Sequence, residues 1–183
     1  MQSINIPKYL QELHGKQASV VSLVLVYTTA LFFGFFISTI IQPLDLAVWK
    51  SILLFIIVAD IAGGAVANFT TSTRQYYREN KQLQIPFLLM HIIHPLLLIL
   101  LLPDFQLLFI FMGVFTFISV SIIKLLGHRN YSKISVLILF IIGTSITLYI
   151  SCSLDYIKII PVLFFIKLIV GFAGGVFFKN KYN

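Results

Sequence analysis

Apolar residues run through this chain in long blocks, not in the alternation of strands or the spaced stripes of soluble helices. A helix that crosses a bilayer needs about 20 mainly apolar residues. Six blocks approach that length: 20–41, 46–68, 85–102, 105–126, 134–153 and 156–178. The pattern predicts an all-α fold, a polytopic integral membrane bundle of six transmembrane helices. The second helix is expected to continue beyond the membrane. The third block is short, so its flanking polar residues sit at the interface.

The residues between blocks agree. Pro43, Pro86 and Pro103 fall at or beside proposed helix ends, where a missing N–H costs little. Trp49, Tyr76, Tyr77, Tyr131 and Tyr156 fall near proposed interfaces, as an aromatic belt would. The first block is longer than the ~7–15-residue apolar region of a signal peptide and lacks a small-residue cleavage site after it, so it reads as a retained span.

Charge then sets an orientation. Lys8, Lys16, Arg74, Arg78, Lys81, Lys124, Arg129, Lys133, Lys179 and Lys181 lie on one side of the proposed membrane. The other side has Lys50 and Lys158, with Asp45, Asp104 and Asp155 in its short loops. The excess of Lys and Arg marks the cytoplasmic face, which places both termini there. The expected organisation is a cytoplasmic segment 1–18 that can form a short interfacial helix, a transmembrane domain 19–179, and a cytoplasmic tail 180–183. The expected location is the cell membrane.

Composition supports the bilayer as solvent: 59% of the 183 residues are hydrophobic and 10% are charged. A soluble domain carries about 25% charged residues. The net charge of +7 is accounted for by the topology bias and by anionic lipid, so no nucleic-acid partner is expected. The single cysteine, Cys152, offers neither an intrachain disulfide nor a cysteine cluster for a metal. Two glycosylation-like triplets, at Asn68 and Asn130, fall on the cytoplasmic side and are set aside.

Four ionisable residues fall inside proposed spans: Asp60, His91, His94 and Lys167. Each costs at least about 2.5–3.5 kcal/mol on insertion scales, so each asks for a partner or a task. Counting at ~1.5 Å per residue puts Asp60, His91 and Lys167 at roughly one depth, with His94 a turn further outward. Asp60 and Lys167 are the expected ion pair. On a continuous second helix, Asp60, Gly64, Ala67, Asn68, Thr71, Arg74, Gln75 and Arg78 share one face. That stripe is either a helix–helix seam or the wall of a polar cavity.

In the third span, Pro95 has no N–H for the carbonyl of His91, and His91 and His94 lie on one face. Two imidazoles, a freed carbonyl and Asp60 would suit a proton relay or a metal. The candidate binding residues are Asp60, Asn68, Arg74, His91, His94 and Lys167. Asp60, His91 and His94 are the candidate ligands of a divalent metal ion. His128 lies in a cytoplasmic loop, too shallow to join them. Three functions fit this set. The first is transport or permeation of a small solute, metal ion or proton. The second is a membrane-embedded, metal-dependent hydrolase acting on a lipid or hydrophobic substrate. The third is a non-catalytic assembly, immunity or complex subunit, in which the same groups are packing devices. The expected partners are the lipid bilayer and a small solute or ion, with a homo-oligomer or a partner membrane protein open. The small-residue faces Ala30/Gly34/Ser38 and Gly171/Gly175 are expected to dock helices within the bundle.

Overall fold

A computed structural model describes residues 3–127, 132–150 and 154–178. His128, Arg129, Tyr131, Cys152, Lys179, Lys181, the Asn130 triplet, the end of block 134–153 and the tail 180–183 lie outside the described residues. The fold is all-α apart from one short strand pair. Five helical segments are long and apolar enough to cross a membrane: Val20–Ile40, Val48–Ala67, Lys81–Leu101, Pro103–Leu126 and Asp155–Val176. A further apolar helix, Lys133–Tyr149, falls short of that length among the described residues.

The chain opens with a structured unit. Strand β1 (Ser3–Asn5) and strand β2 (Gln17–Ser19) pair antiparallel, Ile4 opposite Ala18, around the short helix α1 (Gln11–His14). The weak apolar stripe of this segment yields only that one turn of α-helix after a 3-10 turn at Lys8–Leu10. The unit docks on helix α4, introduced below. Ser72 and Thr73 donate their hydroxyls to the carbonyls of His14 (2.8 Å) and Leu13 (2.7 Å). Lys16 pairs with Glu79 at 2.9 Å, and this contact, with a hydrogen bond from Gln75, holds the Glu79 carboxyl below the usual range. Gly15 makes the turn with φ +74°, and a Cβ there would strike the Ser72 carbonyl. Gly15→Ala is expected to undock residues 3–19 and leave the long helices intact. Hydrogen–deuterium exchange checks this, with 93–101 as internal reference.

His14 gives this docking a pH dependence. It is buried, its Nε2 lies 3.0 Å from the Tyr27 hydroxyl, and burial lowers its pKa. A group with a depressed folded pKa stabilises fully above its unfolded value, about 6.5 for imidazole. Docking is therefore expected to be complete above about pH 6.5 and to weaken as pH falls, which the same exchange experiment reads.

Helix α2 (Val20–Ile40) starts at Ser19, whose hydroxyl accepts from the Ser22 N–H at 3.1 Å. It packs along α3 (Val48–Ala67) through small residues: a Cβ on Gly34 would meet the Phe55 ring, and one on Gly63 would lie 3.0 Å from the Ala30 Cβ. Contrary to the expectation from the amino-acid pattern, the second helix does not continue unbroken beyond Ala67. It closes at Asn68, and a new helix, α4 (Thr71–Glu79), begins after Thr70, whose hydroxyl accepts from the Thr73 N–H at 3.3 Å. Local capping overrides the continuous polar stripe.

The third span is broken. Helix α5 (Gln84–Met90) gives way at His91–Ile92 to α6 (Ile93–Leu101). The His91 and Ile92 N–H groups bond back three residues, to Leu88 (3.0 Å) and Leu89 (3.1 Å). Pro95 falls in the first turn of α6, where a proline is tolerated. Helices α7 (Gln106–Leu126) and α8 (Ser132–Tyr149) follow. The last segment runs as α9 (Ile159–Phe165), a π-helix (Ile166–Ala173) and a final turn, α10 (Gly174–Val176). It is the core of the bundle: 72% of its apolar window is buried, against 17% for α2. The small faces dock internally, with Gly171 against Asn68 and Gly175 against Arg74.

Candidate functional site

Asp60 lies in the fourth turn of α3, inside the chain's second long apolar helix. Its Oδ2 is shared. Lys167 donates to it at 2.7 Å, and the Nε2 of His94 lies 2.7 Å away. The same ammonium reaches the Asp60 backbone carbonyl at 3.1 Å. The lysine side chain is 3% exposed, His94 12% and Asp60 47%. The lysine is thus sealed inside the bundle, while the carboxylate is half-exposed within α3.

The expected Asp60–Lys167 pair is present. The histidines arrive in a different order: His94, not His91, meets the carboxylate. Side chains on a helix lean toward its N-terminus. Helix α6 returns in the direction opposite to α3, so His94 and Asp60 lean toward one another, and the apparent one-turn offset closes. His91 stacks beside His94, ring centroids 5.0 Å apart and planes 14° apart. Its Nδ1 lies 2.6 Å from the Phe87 carbonyl. Phe87 stacks on Phe172, and Phe164 lies beside both imidazoles, so the pair has an aromatic surround.

Partners fix the tautomers. A carbonyl only accepts, so His91 Nδ1 carries the hydrogen, and Nε2 of the neutral ring keeps its lone pair. A carboxylate also accepts, so His94 Nε2 carries the hydrogen toward Asp60. His94 Nδ1 is then a buried lone pair with no hydrogen-bond partner among the described residues. Asp60, His91 and His94 each present one ligand atom, all within 4.8 Å of one another.

Asn68 and Arg74 lie on the α4 side of this cluster. Asn68 donates to the Lys167 carbonyl at 2.9 Å, and Arg74 donates through Nε to the Asn68 carbonyl at 2.8 Å. Arg78 bonds the carbonyls of Gly175 (2.5 Å) and Phe178 (3.0 Å). These groups tie α3 and α4 to the π-helix that carries Lys167. Asn68 thereby gives a carbonyl of the π-helix a side-chain donor.

Gly64, one turn beyond Asp60, was not singled out from the sequence as part of the site. A Cβ at this position would collide with Lys167 Cε and lie 2.7 Å from its Nζ. The glycine makes room for the buried ammonium. Its signal in the sequence was its place four residues after a carboxylate within an apolar run. Comparison with family models, with curated proteins and with solved structures gives no match to this chain.

Proposed function

We propose that this chain is a six-span membrane protein with cytoplasmic termini that transports or admits a small solute, metal ion or proton. Asp60, His91, His94 and Lys167 form its intramembrane binding site. The six-span reading draws on the five long apolar helices and on α8, and the orientation on the bias of Lys and Arg. One observation carries the functional reading. A single mid-helix carboxylate is shared by an ammonium and an imidazole, and both partners come from segments that depart from α-geometry at that level. Ionisable groups inside spans mark ion and substrate paths, and irregular backbone at that depth recurs where such paths are lined. Asn68 and Arg74 position the lysine-bearing π-helix.

The test is flux in proteoliposomes, read with dyes for protons, potassium and zinc. Asp60→Asn and His91→Ala are each expected to reduce flux at least tenfold. The paired variant Asp60→Asn/Lys167→Met controls for folding. Flux that these changes leave untouched removes the site.

The half-exposure of Asp60 favours a second reading, a metal-dependent hydrolase whose lipid-dissolved substrate reaches the carboxylate from beside the bundle. Ester or amide hydrolysis that depends on His91 and His94 is its test.

A further inference from the structure

We infer that the ligand of this site is a divalent transition-metal cation of the zinc class, held by Asp60, His91 and His94. This rests on the binding-site reading above and names the chemistry of its ligand. The donor set comes first. Two imidazoles and one carboxylate present ligand atoms within 4.8 Å of one another, and a mixed nitrogen and oxygen set suits zinc, cobalt or nickel.

Hydrogen-bond accounting comes second, and it is independent. With His91 Nδ1 committed to the Phe87 carbonyl, its Nε2 keeps a lone pair. A metal takes His94 through Nε2, the nitrogen 2.7 Å from Asp60 Oδ2, and the hydrogen held there moves to Nδ1, which has no partner among the described residues. Asp60 Oδ1 also lacks a protein donor among the described residues. These acceptors suit a cation, and the imidazole nitrogens favour a transition metal over calcium or magnesium. The bond from His91 to a backbone carbonyl has the form of the outer-shell contact that orients a metal-ligating imidazole.

Lys167 sets the terms of binding. Its ammonium occupies Oδ2, and a dication must share the carboxylate with it or displace it. The lysine is therefore a competitor built into the site. Removing its charge strengthens metal binding, where a purely structural ion pair would predict no binding at all.

The experiment titrates untagged protein in detergent with Co2+ and follows the visible absorption of the bound ion. One ion per chain is expected. His91→Ala and His94→Ala each weaken binding at least tenfold, and Lys167→Met strengthens it about tenfold. Absence of bound Co2+ in both the native protein and Lys167→Met overturns the inference. So does binding that His91→Ala leaves unchanged. The two readings separate cleanly. Co2+ binding without flux keeps the metal site and removes the transport role. Asp60-dependent flux of protons or potassium without Co2+ binding removes the metal site.

Discussion

Replacing Asp60 with asparagine is expected to destabilise the bundle by about 3–5 kcal/mol, and adding Lys167→Met is expected to recover most of that loss. The lysine side chain is 3% exposed, and both of its hydrogen bonds go to Asp60, one to the carboxylate and one to the backbone. Without the negative charge, a buried cation keeps only neutral acceptors, the backbone carbonyl at 60 and the asparagine amide oxygen. Lys167→Met alone is milder, about 1–3 kcal/mol. It leaves Asp60 half-exposed and still bonded to His94. The prediction lies in the order: Asp60→Asn worst, Lys167→Met intermediate, the pair close to native. Unfolding in mixed micelles with increasing dodecyl sulfate measures all three. Equal effects for the two single changes would mean that the lysine is not sealed as described.

Gly64→Ala is the second large effect. One added methyl is expected to cost about 1–3 kcal/mol, the scale of overpacking. The added carbon falls on the end of Lys167, a side chain normally able to swing away. Here it is pinned between Oδ2 and the carbonyl of Asp60, so any displacement breaks a charge-assisted bond. The cost should shrink when Lys167 is first shortened to alanine. Gly63→Ala is the internal control. Its added carbon meets the Ala30 Cβ at 3.0 Å and the Val26 carbonyl at 3.3 Å, in the α2–α3 seam. It should be costly whatever stands at 167. A double-mutant cycle separates the two glycines, and an equal coupling for both contradicts the packing at Gly64.

The Asp60–Lys167 pair was legible because opposite charges at one depth in lipid have few alternatives. The choice of His94 over His91 was not. It depends on side-chain lean between helices of opposite direction, which counting residues along each helix ignores. The end of α3 left a signal that was outweighed. Thr70 three residues before Thr73 is a helix start, but the polar stripe read through it as one face. The π-helix left no signal, since an added residue per turn changes no composition. The pairing of β1 with β2 was equally hidden, because three-residue strands are too short to show alternation. The helical class itself was plain, since blocks of this length and apolarity have few other solutions.

The Asp60–Lys167 bond spans 107 positions of chain, and the Asp60–His94 bond 34. At ribosomal speeds of roughly 5–20 residues per second, His94 follows Asp60 after about 2–7 s and Lys167 after about 5–20 s. The carboxylate is therefore made well before its ammonium, and of its two partners His94 is made first. A variant lacking His94 is expected to accumulate to a lower level than its equilibrium stability alone would give, which expression level compared with unfolding in micelles would check.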